Sequence, residues 1–150
     1  MKEHFRAQSA EETEKIGSYL AQTLHGKGIK RAFVALFGEM GVGKTAFSRG
    51  FASYFDIRSV KSPTYTVLNE YRGKVKIHHF DFYRITDGDD LYSIGYDDVI
   101  EDDGYCLSEW SENILDFIPE NSVKVTISRV SAKVGEEENL RDIEIDYNGI

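Results

Sequence analysis

Apolar residues recur along this chain at helical spacing in some segments, in short unbroken runs in others, and by strict alternation near the end. Ile16, Tyr19, Leu20 and Leu24 repeat at three- and four-residue intervals, which places them on one helix face. Ser9 followed by Glu12 has capping-box spacing, so "SAEETEKIGSYLAQTL" is expected to be a helix, ended by Gly26 and Gly28. "RAFVALFG" is an apolar run of strand length. In "GKTAFSRGFASYF", Phe47, Phe51 and Phe55 fall four apart and line one face of a second helix. "SPTYTVLNEYRGKVKIHHFDFYR" reads as two strands joined at Arg72-Gly73-Lys74. Acidic, turn-rich sequence follows, with a short helix expected near Asp90 to Ile94. "YCLSEW" reads as another buried strand, and "ENILDFIP" as a short helix or turn that Pro119 closes. "SVKVTISRV" and "LRDIEIDY" alternate cleanly and are expected to pair antiparallel across the polar loop "SAKVGEEEN". Strands interleaved with helices make the chain an α/β protein.

The 150 residues suit one domain, residues 1–150, with an ordinary core. No apolar run is long enough to span a bilayer, and "MKEHFRAQSAEETEK" lacks the apolar core of a secretory signal. The single cysteine, Cys106, cannot form an internal disulfide, which fits a reducing cytoplasm. Among apolar neighbours in "GYCLSEW" it reads as a buried, inert thiol. Charge changes the picture more. The net charge is −8, yet from Ile85 to Val123 there are twelve acids and no Lys or Arg. That third of the chain repels nucleic-acid phosphates. It is either a solvated acidic face or a docking surface for a basic partner.

The most informative stretch is "GEMGVGKTAFSRG", Gly38 to Gly50. Gly38, Gly43, Lys44 and Thr45 fit G-x-x-x-x-G-K-S/T, with a strand before and a helix after. Glycines let successive backbone N–H groups turn inward around a phosphate, and the following helix adds its positive end. The expected nucleotide-binding set is Gly38, Glu39, Met40, Gly41, Val42, Gly43, Lys44, Thr45 and Ala46. Lys44 would reach the β- and γ-phosphates, and the Thr45 hydroxyl would ligate Mg²⁺. The fold expected is that of a P-loop NTPase, a mostly parallel central sheet flanked by helices, with antiparallel additions. No N-K-x-D guanine-reading segment is present, so ATP is the expected nucleotide.

Phosphoryl transfer needs acids beyond the cradle. Asp81 ends "VKIHHFD" and Glu109 ends "YCLSE", both at the carboxyl ends of strands, where ligands bind in open α/β sheets. Either acid can hold Mg²⁺ while the other positions or deprotonates water. The plainer alternatives are an Asp81–Arg84 ion pair and, for Glu109, a charge at the start of "SENIL". His78 and His79 alternate on one strand, and His79 shares the Asp81 side. Thr64, on a loop stiffened by Pro63, is a candidate contact for the γ-phosphate or Mg²⁺. Trp110 either stacks on a base or partner, or fills the core.

"GEMGVGKT", "KSPTYT", "HHFDFYR" and "LSEW", in this order over about residues 9 to 128, resemble the TsaE family, also called YjeE. These are small bacterial P-loop ATPases of tRNA threonylcarbamoyladenosine biosynthesis. The family's H-x-D-x-Y-R segment matches His79, Asp81, Tyr83 and Arg84; its E-W pair matches Glu109 and Trp110; its S-P-T matches Ser62, Pro63 and Thr64. The family usually reads G-D-L-G-A-G-K-T at the loop, so Glu39, Met40 and Val42 depart from it, and the strands after Arg129 match less clearly. The resemblance implies a cytoplasmic ATPase that resets a TsaB–TsaD complex, TsaD being the protein that modifies the adenosine beside the anticodon. It also implies that Thr45 and Glu109 bind Mg²⁺ and that Asp81 supports hydrolysis; the expected catalytic residues are Asp81, Glu109 and Lys44.

The acidic segment accords with protein contact first and tRNA contact only through the complex, since a tRNA binder should carry a basic stripe. No arginine finger is evident, so turnover is expected to be slow without partners, with Arg84 a candidate in cis. The competing expectations are a small-molecule P-loop kinase and a nucleotide-gated binding module without turnover. Against the kinase, Ile85–Val123 holds no arginine with which to close a lid over phosphates.

Overall fold

Seven strands form one sheet in the order β1-β7-β6-β2-β5-β4-β3. A computed structural model of the chain describes residues 1–61, 67–130, 140–147 and 150. The central strands β6 (Val123–Arg129), β2 (Arg31–Phe37), β5 (Gly104–Glu109) and β4 (Lys76–Asp81) are mutually parallel. β3 (Leu68–Arg72) and β7 (Arg141–Asp146) add antiparallel at the two sides, and β1 (Lys2–Ala7) pairs antiparallel with β7. The expected parallel centre with antiparallel additions is therefore present, and half of the six pairings are antiparallel.

The first strand has no counterpart in the sequence reading, because its apolar content is slight. Lys2, His4 and Arg6 alternate with Glu3, Phe5 and Ala7, and only Ala7 is fully buried. Such a charged edge strand resists pairing with further chains. Arg6 pairs across to Asp142 at 2.9 Å, and the Phe5 ring meets Tyr19 at 5.4 Å.

The first helix, α1 (Ala10–Gly26), starts as its sequence dictates. Ser9 Oγ accepts the Glu12 N–H at 3.2 Å, and Glu12 reaches back to accept the Gln8 N–H at 3.1 Å. Ile16, Leu20 and Leu24 are buried against α2 (Lys44–Ser53) and the sheet, while Tyr19 sits at the margin. The two helices cross closely at glycines. A methyl at Gly17 would lie 2.2 Å from Phe47 O, and one at Gly50 would lie 1.9 Å from Glu14 O. Phe47 and Phe51 are buried on the helix face that the spacing predicts; Phe55 lies past the helix end yet is buried too.

The other sheet face carries Phe33, Ala35, Phe80 and Cys106. It is covered by α3 (Gly88–Ser93), α4 (Tyr96–Glu101) and a 3-10 helix, η1 (Ser111–Phe117). α3 is the short helix expected near Asp90, capped by Asp87, whose Oδ1 accepts the Asp90 N–H at 2.9 Å. α4 was not legible, because its one buried residue, Tyr96, leaves no apolar period to read. Cys106 is buried, and its thiol is pushed up to about 12, by burial first and then by the Asp102 charge. The loop at 131–139 and the Ser62–Thr66 segment with candidate Thr64 lie outside the described residues.

Candidate active site

Because β2, β5 and β4 run parallel and adjacent, their carboxyl ends open on the same edge of the sheet. The Gly38–Gly43 loop leaves the end of β2 and enters α2, so it meets the ends of the two neighbouring strands. Asp81 and Glu109 are register partners there.

Backbone sterics shape the loop. Gly38 has φ +148°, and a methyl on it would stand 2.5 Å from Ile127 O, so no larger residue fits. Gly43, at φ +121°, turns the chain into the first residue of α2, Lys44. Two arginines fasten the outside of the loop. Arg129 Nη1 pairs with Glu39 at 3.0 Å and its Nη2 donates to Met40 O at 3.1 Å, while Arg141 Nε donates to Val42 O at 3.0 Å. They face each other as register partners on β6 and β7.

On the inner side, Lys44 Nζ donates to Gly38 O at 2.6 Å and lies 4.2 Å from the centre of the Trp110 ring. Burial lowers the Lys44 ammonium below the usual lysine range; the charges of Glu112, Glu109 and Asp81 oppose that shift. Thr45 Oγ1 donates to the Glu109 carboxylate, with its oxygens at 3.0 and 3.2 Å. His79 Nε2 lies 2.5 Å from Glu109 Oε2. Asp81 Oδ1 accepts the Tyr83 N–H at 2.9 Å. Asp81, Glu109 and His79 are all buried.

Lys44, Thr45, Asp81, Glu109 and Trp110 thus line one cleft of about 370 Å³, closed on the loop side by Met40, Gly41, Gly43 and Ala46. Its contents suit a magnesium nucleotide. The loop offers backbone donors at a helix start beside an ammonium. Thr45 and Glu109 present a hydroxyl and a carboxylate, all hard oxygen. Among the described residues no three His, Cys, Asp or Glu side chains gather into a metal cage. A cation held here must complete its shell with phosphate and water, as Mg²⁺ does. A slightly larger groove, about 420 Å³, crosses the outer face of β1, β6 and β7, but its charges are spent on cross-strand pairs such as Arg6–Asp142.

Of the described residues singled out from the sequence, Lys44, Thr45, Asp81, Glu109 and Trp110 line this cleft and His79 reaches it through Glu109, whereas Arg84, His78 and Cys106 do not line it. Asp81 accepts the Tyr83 backbone N–H, and Glu109 is bonded by Thr45 and His79. Sequence reasoning missed Glu112, whose Oε2 accepts the Gly38 N–H at 3.2 Å, and the two strapping arginines. No local spacing signals any of these contacts.

Known proteins place the chain further. Residues 7–139 match the family model described as threonylcarbamoyl adenosine biosynthesis protein TsaE. A tRNA threonylcarbamoyladenosine biosynthesis protein TsaE of Treponema pallidum is 30% identical over 122 residues, covering 81% of this chain and 87% of that protein. The protein of the same name from Haemophilus influenzae is 42% identical over 101 residues, covering 65% of this chain and 63% of the relative, so that alignment spans less than two thirds of it. In three dimensions the chain is similar to the crystal structure of Bacillus subtilis YdiB, with TM-score 0.72 and 27% identity, covering 97% of this chain and 84% of that one. With nearly the whole described core inside the family match, this chain belongs to the TsaE family.

Proposed function

We propose that this protein binds Mg²⁺-ATP in the cleft at the ends of β2, β4 and β5 and hydrolyses it. The cycle then regulates or resets a TsaB–TsaD complex that makes threonylcarbamoyladenosine at the adenosine beside the tRNA anticodon. The observation that carries this reading is the convergence of Lys44, Thr45, Asp81 and Glu109 on one cleft. Family membership, and the names borne by its relatives, supply the pathway.

The roles follow from position. The Gly38–Ala46 backbone cradles the phosphates, and Lys44 leaves Gly38 O to meet the β- and γ-oxygens. Thr45 and Glu109 hold the metal, and His79 fixes which way the Glu109 carboxylate faces. Mg²⁺, when bound, screens the phosphate charge and polarises the γ-phosphoryl group. The Tyr83 N–H anchors Asp81 Oδ1, which leaves Oδ2 to orient the attacking water and take its proton. Thr64 is the proposed γ-phosphate sensor. Turnover alone is slow, the protein works in the cytoplasm, and tRNA is met only through the complex. Among the described residues no helix is long and apolar enough to cross a membrane.

The test is ATP hydrolysis measured with and without TsaB and TsaD from the same organism. Stimulation together with physical association is the expected result. The absence of both stimulation and association would overturn the assignment. Steady turnover that phosphorylates a small metabolite would replace it with a kinase.

A further inference from the structure

Large apolar side chains are exposed in one connected stretch beside the cleft. Trp110, over Lys44, meets the Tyr83 ring at 5.0 Å, and Tyr83 is half exposed. Asn113 of η1 donates to Phe82 O at 2.8 Å and to Tyr83 O at 3.3 Å, which straps η1 to the same segment. Farther along η1, Leu115 and Phe117 are 61% and 47% exposed. The Phe117 ring lies over the first residue of α3: a methyl on Gly88 would come within 3.1 Å of its Cζ. One turn on, Tyr92 is 83% exposed. The ridge therefore runs from the mouth of the cleft along η1 to α3. The charged side chains of η1 and α3 are all acidic. Asp116 sits between Leu115 and Phe117, Glu112 lies on the same segment ahead of its kink at Ile114, and Asp89 follows Gly88. No Lys or Arg occurs between Ile85 and Val123.

We propose that this η1–α3 ridge is the surface through which a protein partner docks, and that the partner face is an apolar pocket ringed by Lys and Arg. Isolated exposed apolar residues are ordinary, but a contiguous set rimmed by one sign of charge marks an interface, with aromatic anchors giving affinity and the charges giving rate and register. A basic occupant is selected because η1 and α3 carry Glu112, Asp116, Asp89 and Asp90 and no Lys or Arg of their own. The ridge begins at Trp110 and Tyr83, so a docked partner rests on the groups that flank Lys44. Docking is thereby coupled to the nucleotide. The identity of the partner as the TsaB–TsaD pair rests on the function proposed above; the location and chemistry of the surface do not.

The test compares wild type with Tyr92→Ala/Leu115→Ala and with Asp89→Lys/Asp116→Lys, none of them in the cleft. Lys124→Ala on the uncovered outer face of β6 serves as control. Basal ATP turnover, affinity for TsaB–TsaD and its salt dependence are measured for each. The expected result is unchanged basal turnover with affinity reduced about ten-fold or more in both double variants. A shallower salt dependence is expected for the charge reversal, and no change for the control. Wild-type affinity in both double variants overturns the docking surface and leaves the proposed function standing. Failure of wild type itself to bind the pair overturns both. A wild-type dimer that Tyr92→Ala/Leu115→Ala converts to monomer would assign the ridge to a second copy of this chain and also overturn the proposal.

Discussion

His79 and Thr45 grip the same carboxylate: His79 Nε2 lies 2.5 Å from Glu109 Oε2, and Thr45 Oγ1 lies 3.0 Å from Glu109 Oε1. A carboxylate fixed by two side chains presents its remaining lone pairs in one direction. His79→Ala removes one of the two supports without touching the cradle. Loss of such an outer partner typically weakens metal affinity by about 10–100-fold. The expected result is a raised Mg²⁺ requirement for ATP turnover, with nucleotide affinity at saturating Mg²⁺ nearly unchanged. An unaltered Mg²⁺ titration would remove His79 from the site.

Lys44 and Asp81 should separate binding from chemistry. Lys44→Ala deletes the ammonium beside the phosphate cradle and is expected to abolish nucleotide binding, measured with a fluorescent ATP analogue. Asp81→Asn keeps the size and the Tyr83 contact but cannot accept a proton. Binding should persist within a few-fold while turnover falls by about 10²–10⁴. If Asp81→Asn turns over ATP at the wild-type rate, Asp81 is not the base.

The tryptophan should report occupancy. The chain has one Trp, and its ring centre is 4.2 Å from Lys44 Nζ. Phosphate drawing Lys44 away from the indole is expected to change intrinsic emission on addition of Mg²⁺-ATP. The same titration of Lys44→Ala should be flat. A wild-type protein whose emission ignores saturating ATP would mean that Lys44 does not move.

The helix crossing should tolerate no methyl. Gly17→Ala and Gly50→Ala would each place a carbon about 2 Å from a backbone oxygen of the opposing helix. Relief requires α1 and α2 to separate, at a cost of about 1–3 kcal/mol or more. Thermal unfolding should show a Tm lower by several degrees. Because α2 begins at Lys44, nucleotide affinity should fall as well. An unchanged Tm in both variants would contradict the close crossing.

Alkaline pH should weaken the fold through its buried acids of high pKa. The Cys106 thiol is raised from 9.0 to about 12 by burial, and burial also raises the Tyr96 and Tyr147 phenols. The unfolded thiol loses its proton above about pH 9 while the folded one keeps it, so the stability it contributes is full below pH 9 and disappears as pH rises toward 12. Denaturant midpoints measured across that window should fall, and less steeply for Cys106→Ala. A thiol reagent should label Cys106 only as fast as the chain opens. Rapid labelling of the native protein would show the thiol to be accessible.

The sequence by itself determined whatever depends on local backbone geometry. The glycines, Lys44 and Thr45 define the loop because a phosphate cradle needs those residues in consecutive positions. The Ser9–Glu12 cap, the Phe47 and Phe51 face and the β6–β7 alternation are legible because helix and strand periods repeat within a few residues. The strand-end positions of Asp81 and Glu109 followed from where their apolar runs stop. β1 and α4 were not legible, because one is an edge strand of mostly charged residues and the other buries a single side chain.

Only the tertiary structure decided which distant residues meet. Placing β5 between β2 and β4 brings Glu109 to Thr45, 64 residues away, and to His79, 30 residues away. The same stacking returns Glu112 to Gly38 and carries Arg129 and Arg141 to the loop carbonyls. Strand order is a property of the whole sheet, set by how both faces are buried at once, and it leaves no periodic trace in the chain.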